Sequence, residues 1–148
     1  MIRLRPAKED DLDFLFELKK LTMKDYLIQV SGWNDDYQRK NFFKIMPLKK
    51  IKIIILDGKE IGYFLFHEGK KYITYDYMII MPSYQNRGIG YYISEWVFAR
   101  ANKVQKPVIA QVLKNNRGAL RLWLRLGFII VGETKTHFNL ASKNFLKK

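Results

Sequence analysis

The sequence contains no cysteine, which excludes disulfides, thiolate-bound metals and a thiol nucleophile. No run approaches the roughly 20 apolar residues that a membrane-spanning helix requires. The opening MIRLRPAKEDD has none of the apolar core of a secretory signal. A cytoplasmic protein with no membrane partner is the expectation. The two histidines, His67 and His137, have no acidic cluster at ligand spacing around them, so no metal centre is expected. Acidic residues are scarce at one end: residues 101–148 carry ten Lys and Arg against the single acid Glu133.

What is present describes a packed protein. At 148 residues, with 48% hydrophobic and 15% aromatic side chains, the chain suits one domain over residues 1–148 with a substantial core. The net charge of +13 is the footprint expected of phosphate or nucleic-acid contact, or else of a solvated lysine-rich surface. Charge alone leaves those alternatives open.

The apolar pattern sets out the elements. IRLR at 2–5 reads as a strand. Leu12, Leu15, Phe16 and Leu18 recur at helical spacing within 10–21. Gly32 breaks the chain and Asn34 caps a second helix. Two apolar runs flank Asp57–Gly58, a dipeptide suited to a tight hairpin, and YITYDYMII adds a third strand to make a meander. A helix is expected over 89–102. PVIAQVL (107–113) follows as a strand buried on both faces. Asn115–Asn116 cap a helix that stops at Gly127, and FIIVGE and THFNLAS close as strands. The order predicts an α/β (α+β) fold with antiparallel strands in the middle of the sheet.

One stretch carries chemistry: MIIMPSYQNRGIGYYISEW, from Met78 to Trp96. A strand, a turn holding two glycines and a helix start make an anion site, because the first helical N–H groups are unpaired and the glycines let a ligand approach the backbone. Arg87 adds a cation beside it. The Walker pattern is absent, and Ile93 stands where a dinucleotide-binding turn needs its third glycine. What remains is Q-x-x-G-x-G, Gln85 to Gly90.

That run, followed by PVIAQVLKNNRGALRLWLRLGF, resembles the GNAT superfamily of acetyl-CoA-dependent N-acetyltransferases. Ile80, Pro82, Tyr84, Gln85, Gly88 and Gly90 match the first half of the family pattern; Asn116, Ala119, Gly127 and Phe128 match the second. The resemblance implies a GNAT-like mixed, mostly antiparallel sheet of about seven strands flanked by about four helices. It implies acetyl-CoA as cofactor, with the backbone of Asn86, Arg87, Gly88, Ile89, Gly90 and Tyr91 around the pyrophosphate. Met78, Ile79 and Ile80 would bond the pantetheine arm, the Met78 N–H would serve as oxyanion donor, and Gln85 and Asn116 would be further cofactor contacts; Trp123 either packs against the pantetheine as another or is core beside Leu122 and Leu126. Asn116 also reads as a plain helix cap.

Amide formation needs a neutral amine, and an alkyl ammonium has a pKa of about 10.4. Asp76 is the acid in the strand before the turn, and a period of two puts it on the face of Met78 and Ile80. Its position corresponds to the Glu base of the family's diamine acetyltransferase branch. Thr74 matches another base position and cannot serve. The family's thiolate-protonating Tyr is replaced by Trp123, which leaves Tyr75, Tyr77 or water. Arg117, Arg121 and Arg125 share a helix face that suits the 3′-phosphate of CoA or solvent. The resemblance puts part of the acceptor pocket on the first two helices, where Tyr26 and Trp33 join Asp76 as substrate-binding candidates, with Asp35 and Asp36 nearby. The expected partner is a small-molecule or peptide amine rather than nucleic acid, and homodimers are common in this family. The other readings are a CoA-binding module without turnover and a basic nucleic-acid-binding protein.

Overall fold

The computed structural model describes residues 1–144. The strands are β1 (Ile2–Pro6), β2 (Ile51–Leu56), β3 (Lys59–Glu68), β4 (Ile73–Ile80), β5 (Val108–Leu113), β6 (Phe128–Glu133) and β7 (His137–Ser142). The helices are α1 (Leu12–Ser31), α2 (Asp35–Ile45), α3 (Ile89–Val104) and α4 (Arg117–Arg125). The seven strands form one sheet in the order β1-β2-β3-β4-β5-β7-β6. Pairing is antiparallel for β1 with β2, β2 with β3, β5 with β7 and β6 with β7. By contrast, β4 and β5 run parallel, through Ile73↔Val108 and Thr74↔Ile109. This is the mixed, mostly antiparallel sheet that the sequence predicts. Among the described residues no helix is long and apolar enough to cross a membrane. Contacts divide the chain into two compact units, Met1–Leu65 with Tyr77–Gln85, and Phe66–Asp76 with Asn86 onward.

The first unit is built on an amphipathic helix over a sheet face. Leu15, Phe16 and Leu18 of α1 and Phe42 of α2 bury against Ile51, Ile53, Tyr63 and Ile79. Phe16 meets Phe42 edge-on at 5.5 Å and stacks on Trp33 at 6.2 Å. The Arg5 guanidinium forks onto Asp11 at 2.8 and 2.9 Å and ties β1 to the start of α1. α1 continues ten residues past the expected Leu21. The apolar stripe fades there, with Leu21 itself exposed, but nothing breaks the helix until Gly32, whose φ of 74° closes it with an N–H bond to Ile28 O. Asp57 and Gly58 both adopt left-handed φ, 49° and 84°, as the two-residue hairpin requires.

Gly62 of β3 sits against β4 so closely that an added Cβ would lie 2.4 Å from Ile79 O. The obstacle is backbone and cannot rotate away. Gly62→Ala is therefore expected to destabilise the fold by about 1–3 kcal/mol, read as a lower urea midpoint. An unchanged midpoint would show that β3 and β4 can part there without loss.

The second unit has an aromatic centre. Trp123 of α4 meets Tyr75 of β4 at 4.9 Å and Phe128 of β6 at 5.1 Å, both edge-on, and Phe98 of α3 reaches Phe128 at 5.4 Å. Ile93, Val97, Val108 and Leu140 are fully buried in the same unit. Arg100 pairs with Glu68 at 2.6 Å, and Lys106 Nζ donates to Gly69 O at 2.7 Å, so α3 holds the β3–β4 turn. β5 departs from expectation. Val108, Ala110 and Val112 are buried, but Ile109 is half-buried and Gln111 exposed, so only one of its faces is fully covered.

Candidate active site

From β4 to α3 the chain passes through a loop held at both ends. Met81 N donates to Ile61 O at 2.8 Å, and Pro82–Tyr84 form a single 3-10 turn. The Gln85 side-chain amide donates to Ile80 O at 2.9 Å, fastening the loop to the strand it has just left. That bond gives Gln85 a structural task that its place in the motif did not reveal. Asn86 (φ 62°) and Gly88 (φ 81°) are both left-handed, a backbone that reverses direction and starts a helix within four residues.

Gly88 is the N-cap of α3 and has no side chain with which to cap it. The first turn's N–H groups have no intrahelical acceptor by construction, and they end on the positive side of a 16-residue helix. Beyond its chain neighbours, a Cβ built on Gly88 meets nothing within 4 Å, so there is open space beside the helix start. Ile89 is 5% exposed and anchors the first turn in the core, while Arg87 and Tyr91 stand exposed. The arrangement can hold an anion.

A second feature lies wholly in the second unit. Asp76, Thr74, Tyr72, Ile109, Gln111 and Asn139 help to line an open cavity of about 430 Å³. They share a sheet face. Thr74 pairs with Ile109, and two residues further along the strands stand Asp76 and Gln111. Gln111 is the direct partner of Asn139, which pairs in turn with Gly132. On that wall the ladder reads amide, amide, glycine across β5, β7 and β6, and Asp76 lies two residues past the last paired position of β4 with β5. Gln111 Nε2 donates to Asn139 Oδ1 at 2.8 Å.

β4 changes character at Tyr77, whose φ of 52° is left-handed. A left-handed residue interrupts the pleat and re-aims the backbone after it. Tyr75 is buried with Trp123 and Ser94, whereas Ile79 is buried with Phe16 and Tyr63. Burial along β4 alternates, with Ile73, Tyr75 and Ile79 buried and Thr74, Asp76, Met78 and Ile80 less so, and exposed Tyr77 is the exception. Met78 and Ile80 are half-buried, and Asp76 is half-buried in the cavity wall.

Two expected cofactor contacts have other surroundings. Trp123 is 5% exposed inside the aromatic centre and offers almost no surface. It is a core residue. Asn116 Oδ1 accepts from Ala119 N at 3.2 Å, the plain helix cap. Tyr75 is also removed as a proton donor: it is fully buried, its hydroxyl lies 3.0 Å from Ser94 Oγ, and burial pushes its pKa above the ordinary phenol range. Of the acceptor candidates, Trp33 packs on Phe16 in the first unit and donates to Asp35 Oδ1 at 3.2 Å. Asp35 also holds Lys20 at 2.7 Å, and these two partners keep its carboxyl below the usual range. Tyr26 is half-buried on α1, and Asp36 is exposed in the first turn of α2. Arg117, Arg121 and Arg125 are exposed along α4.

Gln111 and Asn139 escaped the sequence reading. Gln111 is the one polar side chain in PVIAQVL, a signal that one face of that strand meets solvent or a ligand. Asn139 alone gives no such signal, since its role depends on the strand beside it.

Comparison with known proteins bears on all of this. The model of the acetyltransferase (GNAT) family matches residues 15–128. No curated protein sequence matches the chain. Among solved structures, the PaiA N-acetyltransferase of Thermoplasma acidophilum, in complex with coenzyme A, superposes with a TM-score of 0.78 at 16% identity, covering 97% of this chain and 99% of that one. An acetyltransferase of Thermus thermophilus gives 0.73 at 19% identity, over 95% and 96%. Naa50 of Arabidopsis thaliana, in complex with the bisubstrate analogue CoA-Ac-MVNAL, gives 0.67 at 16% identity, over 96% and 98%. At such identities these structures speak for the fold. The family model takes in the left-handed turn, the start of α3, Asp76 and all of α4, and on that match the chain belongs to the GNAT family of acetyltransferases.

Proposed function

We propose that the chain is a cytoplasmic N-acetyltransferase, acting as a single domain, that moves acetyl from acetyl-CoA to a primary amine of a small molecule or peptide by direct attack. The observation that carries the reading is the start of α3: a helix opening on a left-handed glycine, which has no side chain to cap it, with free space beside it. It fits the pyrophosphate of the family's acyl donor, and the CoA complex of the PaiA relative supports the same assignment. Asn86 to Tyr91 would hold the pyrophosphate, and Met78, Ile79 and Ile80 the pantetheine arm. When bound, acetyl-CoA supplies an activated acyl group, whose C–S bond breaks as the new C–N bond forms.

The protein's own groups then have three tasks. Asp76 takes a proton from the acceptor ammonium, directly or through one water, so that the nitrogen lone pair is available. The Met78 N–H donates to the carbonyl oxygen as negative charge gathers there; loss of such a donor costs about 3 kcal/mol. The left-handed Tyr77 immediately before it turns that peptide relative to its neighbours in the strand. No phenol is required for the last step. A thiol has a pKa of about 8.5, so near neutral pH water would suffice to protonate the leaving thiolate and no side chain of this protein need do so. Burial of Trp123 and Tyr75 is thus compatible with turnover.

That same burial favours a second reading, a CoA-binding module without turnover. Calorimetric titration with acetyl-CoA, followed by thiol release with and without amines, separates the two. Binding with amine-dependent release is expected. Binding without release would establish the module, and no binding would overturn both. In the last case the exposed arginines of α4 would direct attention to nucleic acid, marked by steep loss of affinity with salt.

A further inference from the structure

We propose that Gln111 and Asn139 read an amide on the acceptor, so that its class is a primary amine with a carboxamide or peptide bond on the adjacent carbon. This inference rests on the acetyl-transfer reading above, with Asp76 as the base. Three observations lead to it.

The first is the wall of the cavity. Gln111 and Asn139, direct partners on β5 and β7, line the same cavity as Asp76. Their mutual bond at 2.8 Å uses one N–H of Gln111 and one lone pair of Asn139. Gln111 Oε1 remains an acceptor and Asn139 Nδ2 a donor. Turning both amides over leaves one donor and one acceptor again. The pair is the hydrogen-bonding complement of an amide group. Gly132, opposite Asn139, keeps that end open, since a Cβ there would sit 3.6 Å from Asn139 Nδ2.

The second is the charge of the cavity. Asp76 is its acid, and among the described residues no Lys or Arg lines it. A free amino acid would bring a carboxylate next to its amine, with no cation to meet it and Asp76 to repel it. The neutral amide has no such penalty.

The third is the strength of the base. A carboxylate has an ordinary pKa of about 3.9, against about 10.4 for an alkyl ammonium and about 7.7–8.0 for an α-amine beside a carbonyl. The α-amine asks several pKa units less of a carboxylate. Recognition and proton transfer favour the same class.

The test compares kcat/KM for alaninamide with that for isopropylamine, in which a methyl replaces the carboxamide. In Gln111→Leu and in Asn139→Leu the alaninamide-to-isopropylamine ratio is expected to fall about tenfold, the effect of losing one neutral hydrogen bond in the transition state. Both rates come from one enzyme sample, so any loss of folded protein cancels. A ratio unchanged in both variants overturns the proposal, as does turnover of free alanine on a par with alaninamide. A tri-alanine peptide used as well as alaninamide would identify a peptide N-terminus as the natural source of the amide. Its exclusion, with the ratio still falling, would identify a small carboxamide. Acetyl transfer to none of these amines, with acetyl-CoA bound, would instead refute the reading beneath.

Discussion

Gly88→Trp abolishes acetyl-CoA binding and leaves a folded protein. The two halves of that expectation come from one site. Gly88 is left-handed at φ 81°, a conformation that strains an ordinary L-residue by roughly 1–2 kcal/mol. Beyond its own stretch of backbone no described atom lies within 4 Å of the Cβ it would gain, so the indole leaves the backbone into open space. Against a typical stability of about 5–15 kcal/mol the fold survives. The space the indole enters is beside the helix start, where the first N–H groups of α3 stand. An anion held there makes charge-assisted hydrogen bonds of about 1.5–3 kcal/mol each, and loss of two weakens binding by on the order of a hundredfold or more. Calorimetry measures the affinity and circular dichroism the fold. Unchanged affinity would remove the helix start from the cofactor site. Loss of the folded signal would show that the turn has a larger part in stability than its open surroundings indicate.

Asp76→Ala lowers kcat/KM by about 10²–10⁴, the usual effect of removing a general base, with acetyl-CoA affinity unchanged. The pH profile gives the sharper reading. Without a base, the rate depends on the fraction of amine that is already neutral. That fraction rises about tenfold per pH unit up to the amine's own pKa, about 7.7–8.0 for an α-amine and about 10.4 for an alkyl amine. The variant should therefore recover toward the unsubstituted enzyme as pH rises, and the deficit should be largest on the acid side. A deficit that is constant across pH, or an equal loss of cofactor affinity, would make Asp76 a structural residue of the cavity wall.

Where a structural feature follows from a few neighbouring residues, the sequence showed it. The Asp57–Gly58 hairpin, the Asn34 and Asn116 caps and the stop at Gly127 are local, because their hydrogen bonds lie within three or four residues or require only a left-handed backbone. The end of α1 was misjudged because apolar spacing reports which side of a helix is buried, and α1 goes on as an exposed helix after its buried stretch. Trp123 could be read from the sequence as either a cofactor contact or core, and only its neighbours Tyr75 and Phe128, from two strands that no spacing connects to it, show that it is core.

The sequence by itself determined the class of elements, the left-handed turn with its two glycines, the acid in the preceding strand and the family. Each is written in residues close together along the chain, where backbone sterics and short-range hydrogen bonds act. The tertiary structure alone decided that β5 lies parallel to β4, that β7 enters between β5 and β6, and that Tyr77 is left-handed in mid-strand. The first two bring Gln111 and Asn139 into the wall of the cavity that Asp76 lines. Strand order and register are fixed by burial summed over the whole chain, so residues 35 and 63 positions beyond Asp76 join it in one cavity wall only after the chain has folded.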